Sequence, residues 1–313
     1  MTTTLKFSLA LVIPALLTAC ASTQTASTPS NSTMASDITL EFNAIAPKLV
    51  SGKPQLAEVT CQDTYMLGNP AKATKLADLR FYVTNLQVTT KDGKTLPVSL
   101  KQNDFQQVDL GLIDLENGTG SCSDRGDSLY NNQLTGTIPA PYTEADIQGV
   151  SFDIGVPSDR NHTLANDPRT KAPLDIQGMA WSWQMGRKFS KIELAPLDKV
   201  AMKDGTMAKI YNLHLGKMGC KGDATNGEAV NCKYNNIATV DLKTSTPLSQ
   251  NNITLNLANL YANSDITTDK GKKAGCMSFK ADGDCKALFE QMGLDYQTGT
   301  STGKQKVFSL STK

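Results

Sequence analysis

Three short stretches of this 313-residue chain hold its only two histidines and its only two tryptophans. They are residues 155–162, ending in Asn161-His162; residues 179–189, with Trp181 and Trp183; and residues 212–220, with His214. A neutral imidazole offers one nitrogen lone pair and suits copper or zinc. His162 and His214 together make half a metal site. His162 follows an apolar strand and falls in a polar Asn/Asp/Thr loop, where it can complete a ligand set. His214 falls where Tyr211, Leu213 and Leu215 point one way, so its ring points the other way with Asn212. Trp181 and Trp183 are two residues apart. In a strand they share a face, flanked by Met179 and Met185. An indole N–H only donates, so an intact tryptophan is not an ordinary nitrogen ligand. Oxidative opening of the ring would leave an aromatic amine with a lone pair. The plainer reading is that a tryptophan pair packs a core. On that view a histidine near a strand end is a satisfied structural residue.

The elements that must position these residues read as strands. Ile38, Leu40 and Phe42 alternate with polar neighbours, and so do Leu79, Phe81 and Val83 with Asn85 in phase. The same period of two runs through Val150, Phe152, Ile154 and Val156; Ile192 and Leu194; Tyr211, Leu213 and Leu215; Val240 and Leu242; and Ile253, Leu255 and Leu257. Such alternation marks half-buried strands. Turn signals separate them at Lys91-Asp92-Gly93-Lys94, Glu116-Asn117-Gly118, Lys203-Asp204-Gly205 and Asp282-Gly283-Asp284. The expected class is all-β, an antiparallel sandwich or barrel-like domain with one or two short helices. One helix is expected from Cys285 to Met292, stopped by Gly293, and a short one near Thr143-Glu144-Ala145-Asp146.

Composition narrows the function. Lys plus Arg number 31 and Asp plus Glu 30. Near-neutrality argues against a nucleic-acid binder held by phosphate contacts, which needs a basic face. No nucleophile elbow, phosphate loop or dinucleotide-binding glycine motif occurs. With two histidines and no motif around either, a catalytic triad has no support, and the chain reads as a binding protein rather than an enzyme. Arg125-Gly126-Asp127 reads as a chance tripeptide. Asp282-Gly283-Asp284 lacks the remaining oxygen ligands of a calcium loop.

The N-terminus reads as an address. Lys6 precedes an apolar run from Phe7 to Leu17, too short to span a bilayer. Leu17-Thr18-Ala19-Cys20 resembles a bacterial lipobox, with Cys20 as the lipidated residue after removal of 1–19. Residues 20–36 are rich in Ser, Thr, Ala, Gln and Pro and read as a flexible tether, leaving 37–313 as one domain. No acidic retention signal follows Cys20, which favours an outer-membrane lipid anchor, facing the periplasm. The other six cysteines, Cys61, Cys122, Cys220, Cys232, Cys276 and Cys285, form an even set in an exported chain, which implies disulfides. Spacing favours Cys220–Cys232 and Cys276–Cys285 as local closures, leaving Cys61–Cys122, although six cysteines allow about 15 connectivities. A thiolate metal site is the rival, but these pairs are spaced more widely than usual zinc ligands.

Several motifs in one order resemble the MbnP-like family of bacterial copper-binding proteins, the four-cysteine member of a metallo-mystery pair. They are the segments 79–86 and 112–122, Gly155-Val156-Pro157 with Asn161-His162, Trp181-Ser182-Trp183-Gln184, and His214-Leu215-Gly216 with Gly219-Cys220. The resemblance implies a periplasm-facing copper binder. Its ligands would be His162, His214 and a tryptophan, Trp181 or Trp183, oxidised to kynurenine by a partner di-haem enzyme of the MbnH/MauG type. It also implies four family cysteines, Cys61, Cys122, Cys220 and Cys232, with Cys276 and Cys285 as an extra pair. This chain departs from the family's Gly-Tyr-Lys-Phe with Gly186-Arg187-Lys188-Phe189. Arg187 would bring a positive charge against a cation or alter the docking of the partner. The alternative is a structural or adhesive envelope lipoprotein without metal.

Overall fold

The computed structural model describes residues 1–2, 34–181, 185–223, 228 and 230–313. The leader, Cys20 and most of the expected tether lie outside the described residues, and so does Trp183. The chain divides into two units, Met1–Asn31 and Ser32–Lys313. All the elements below belong to the second.

Alternation builds the strands. Along Ser36–Val50, Ile38, Leu40, Phe42, Ala44 and Ala46 are buried while their neighbours are half-exposed. This strand changes partner along its length. Gln133–Ile138 runs antiparallel to its start, Asn251–Asn256 parallel to its middle, and Lys53–Glu58 antiparallel to its end. A longer strand, Lys72–Thr90, does the same. It pairs with Ser190–Pro196, Leu110–Asp114 and Ile147–Ile154 in turn, all antiparallel. Asn85 (φ +49°) lies where its register with Ile147–Ile154 shifts, and asparagine tolerates that left-handed conformation. Beyond Ser190–Pro196 comes Tyr211–Leu215, and beyond that a short parallel pairing with Gly275–Cys276. Phe308–Thr312 closes the other edge against Asn251–Asn256.

The fold is therefore all-β and mostly antiparallel, as the periodicity indicates. Its centre is a ring of edge-to-face contacts among Phe42, Phe81, Phe152 and Phe308, with centroids 5.6 to 6.0 Å apart. Each phenylalanine comes from a different strand, so the cluster ties distant parts of the sheet together.

Cys285–Gln291 is helical, buries Leu288 and Phe289, and gives way at Met292 to Gly293 with φ +70°. Glu144–Asp146 forms a single 3-10 turn closed by a capping box from Thr143. Leu257 departs from expectation. It does not continue the strand through Ile253 and Leu255 but opens the helical turn Leu257–Leu260, because the Asn256 side chain accepts from the Asn259 N–H and caps it. The six cysteines pair as Cys61–Cys122, Cys220–Cys232 and Cys276–Cys285. Cys220 and Cys232 face each other across the paired strands Met218–Lys221 and Asn231–Tyr234. Among the described residues no helix is long and apolar enough to cross a membrane.

Candidate metal centre

The long strand Lys72–Thr90, the middle strand Ser190–Pro196 and the histidine strand Tyr211–Leu215 lie side by side. Their register aligns Arg80 with Lys191 and Lys191 with His214, and in the next row Asp78 with Glu193 and Glu193 with Asn212. The alternation that sends Leu79, Ile192 and Leu213 to the core sends these residues to the other face. Half-burial predicts water there. Instead Asp78, Arg80, Lys191, Glu193 and His214 are all buried. The cover is the segment after the Cys61–Cys122 disulfide. Arg125 donates to both oxygens of Glu193, from Nε at 2.6 Å and Nη2 at 2.9 Å. Asp127 accepts from Arg80 Nη1 at 2.6 Å. Between them, Gly126 lies so close to Glu116 that a Cβ would sit 1.8 Å from its Oε2. The Arg-Gly-Asp tripeptide is thus a clasp over buried charge.

Burying these charges is tolerable because they are paired. Arg80 donates to both oxygens of Asp78, at 2.9 and 2.5 Å. Lys191 Nζ donates to Asp78 and stands 3.8 Å from Glu193. Burial pushes the Glu193 carboxyl up, but the hydrogen bonds from His214 and Arg125 and the charge of Lys191 outweigh it and hold it well below the usual carboxylate range. His214 Nε2 lies 2.7 Å from Glu193 Oε1. Burial pushes the imidazole down, with the Glu193 bond opposing. The other ring nitrogen, Nδ1, is buried and has no hydrogen-bond partner among the described residues. An orphaned, buried imidazole nitrogen fits a metal ligand.

Trp181 packs beside this ring, with centroids 6.4 Å apart and planes tilted by 55°. It also lies on Gly216. A Cβ there would be 2.5 Å from the indole Cζ3 and 2.7 Å from the Arg187 carbonyl oxygen. The expected strand through Trp181 does not form. Gln177–Met179 is a 3-10 turn, and Ala180 makes one isolated bridge to Arg187. The Trp181 N–H donates to Gly186 O and the Lys188 N–H to Met179 O, so the segment doubles back on itself. Gly186 makes this possible with φ +74°, a conformation glycine adopts without strain. The shared-face arrangement with Met179 therefore fails for Trp181, while Trp183 lies outside the described residues.

Arg187 does not present its charge to solvent. It is 1% exposed and donates through both Nη atoms to Thr163, and its backbone N–H donates to Asn161 Oδ1 at 3.2 Å. It is the clamp that joins the Trp181 segment to the His162 loop. A second link runs from Lys217 Nζ to Ser158 Oγ, at 2.6 Å. The three stretches singled out from sequence therefore meet.

His162 Nε2 lies 3.0 Å from Asn161 Nδ2 and 3.3 Å from Cys232 Sγ. The fold thus gathers one imidazole nitrogen and the sulfurs of Cys220 and Cys232 within 4.8 Å of one another. Both sulfurs are committed to a disulfide, so neither is a thiolate ligand nor carries a proton to donate. The ring packs against the bridge and keeps its contact with the Asn161 amide. His162 also stands on the wall of a cleft of about 1270 Å³, with Gln107, Arg160, Thr163 and Leu174. Among the described lining residues neither His214 nor Trp181 occurs. Both histidines are buried, and of the two it is His162 that borders this cleft.

Sequence reasoning missed Glu193 and read Arg125 only as part of a chance tripeptide; Asn161 it named as the neighbour of His162, without its bond to the Arg187 N–H. The available signal was the charge placed at alternate positions of apolar strands, at Asp78, Arg80, Lys191 and Glu193, in phase with His214.

A family model described as MbnP matches residues 35–278. Among solved structures, MbnP from Methylosinus trichosporium is similar, with 30% sequence identity and a TM-score of 0.76, covering 89% of this chain and 99% of that chain. No curated protein matches. The matched region includes both histidines and both tryptophans, and Cys285 with its helix lies beyond it.

Proposed function

The chain belongs to the MbnP family, a membership that points to a copper-related role, and from that premise we propose that it is a copper-binding protein of the cell envelope rather than an enzyme. His162 and His214 hold one Cu(I), with oxidised Trp181 or Trp183 as a third ligand. Two or three nitrogen donors suit Cu(I), whereas hard cations take oxygen. The ion enters from the cleft beside His162. A partner di-haem enzyme of the MbnH/MauG type, with a peroxide as oxidant, opens the indole by adding two oxygen atoms across its C2–C3 bond, and hydrolysis then releases C2 as formate, which turns a pure donor into an aromatic amine with a lone pair. Cys20 carries the lipid that anchors the protein to the outer membrane, and the role is copper acquisition or handling.

The observation that carries this reading is Nδ1 of His214, buried with no partner among the described residues. A metal-free scaffold accounts for the packing of Trp181 on Gly216. It leaves that nitrogen desolvated for nothing, at a cost of about 1–3 kcal/mol.

The test is Cu(I) titration of the purified protein and of His162→Ala and His214→Ala. Each substitution is expected to weaken or abolish one-to-one binding. Unchanged stoichiometry and affinity in the double variant refutes the site. For the modification, mass spectrometry of the peptide containing Trp181 and Trp183 is expected to show kynurenine when the di-haem partner is co-expressed. An unmodified peptide from those cells removes the third ligand.

A further inference from the structure

We infer that Glu193, clamped by Arg125, is the positioning residue that fixes the proton of His214 on Nε2 and so makes Nδ1 the ligand atom. The ligand role rests on the copper reading above. The placement of the proton stands on geometry alone.

A separation of 2.7 Å between Nε2 and Glu193 Oε1 requires a proton between the two atoms. A carboxylate can only accept, so the proton belongs to the ring. Arg125 reinforces this by aiming Nε at Oε2 and Nη2 at Oε1. The carboxylate is gripped on both oxygens and cannot swivel away from the imidazole. Glu193 itself is 0% exposed, so no water competes for it. A neutral imidazole protonated at Nε2 carries its lone pair on Nδ1, the atom left without a partner.

Arg125 is held in turn. Its carbonyl oxygen accepts from Lys191 Nζ at 3.2 Å, and its N–H donates to Cys122 O at 3.2 Å. Cys122 is bridged to Cys61. The order of support therefore runs from disulfide to arginine to carboxylate to imidazole. A carboxylate behind a ligating histidine fixes its tautomer and raises its basicity, and losing it costs about 10- to 100-fold in metal affinity.

The experiment is ¹⁵N NMR of the full chain with labelled histidine, before and after addition of Cu(I). His162→Gln leaves His214 as the single imidazole for assignment. The metal-free protein is expected to show a protonated Nε2 and a bare Nδ1, and Cu(I) is expected to shift Nδ1 while Nε2 keeps its proton. Glu193→Gln is expected to mix the tautomers and weaken Cu(I) binding about 10- to 100-fold. Arg125→Gln removes the clamp from a side chain that is 42% exposed, and is expected to fold and give a smaller loss. If Glu193→Gln does not fold, the parent spectra and Arg125→Gln decide the matter. A proton on Nδ1 in the metal-free protein overturns the inference, as does a copper-induced shift at Nε2 or unchanged affinity in folded Glu193→Gln. If the expected tautomer is present but the parent binds no Cu(I), the copper reading falls and the ligand role with it, while the positioning of the ring stands.

Discussion

At the scale of single residues, burial decides which groups are charged. Asp114 lies beside Glu116 and Asp127 under the clasp, and its Oδ2 has no partner among the described residues. Burial pushes its carboxyl up to about 8, against the positive charge of Arg80 and with the negative charge of Glu116. The folded protein therefore keeps a proton that the unfolded chain releases above pH 3.8. Between those values stability falls as pH rises, and above about 8 this contribution is constant. Asp114→Asn has no proton to lose. Urea midpoints taken from pH 5 to 9 are expected to show the variant gaining on its parent up to about pH 8 and no further; parallel curves would sink this account. His162 and His214 were legible because the chain has no other histidine. Asp114 and Glu193 were not, because sequence periodicity gives the face a residue takes and not what covers that face.

At the scale of elements, the site depends on a junction that contains a glycine. The Trp181 ring and the Arg187 carbonyl occupy the space where a Cβ of residue 216 would lie. Gly216→Ala must push one of them away, and the carbonyl belongs to backbone already bridged to Ala180. The expected cost is roughly 1–3 kcal/mol, the usual price of overpacking. Thermal unfolding measures it, and a shift in tryptophan emission reports the displaced ring. A variant with the parent's melting point and emission would show that the indole does not rest there. Alternation made the strands readable from Ile38, Phe81, Phe152 and Leu213. It misled at Leu257, where an asparagine cap overrode it, and around Trp181, where Gly186 reverses the chain. Both errors arise where hydrogen bonds to backbone compete with hydrophobic period.

At the scale of the whole molecule, no one sheet edge or loop contains the candidate centre. The His162 loop follows Ile147–Ile154, the Trp181 segment precedes Ser190–Pro196, and His214 lies in the next strand of the sheet. Ser278, just after Cys276, ties in the C-terminal region. Its Oγ donates to the His214 carbonyl and accepts from the Gly216 N–H. The family resemblance implied that His162, His214 and a tryptophan converge, but the closures that bring them together, such as Ser278 on the histidine strand, were not visible in the sequence, since they depend on how strands exchange partners.

That exchange has a consequence for how the molecule opens. Lys72–Thr90 is bonded to different neighbours over successive parts of its length, and Phe81 from its middle joins the central aromatic ring. No flank can peel off and leave this strand's amides exposed without the rest coming apart. Its backbone is expected to exchange through global opening, so peptides from residues 76–84 should be the last to gain deuterium mass and should share one rate; early or staggered exchange there would show local opening instead.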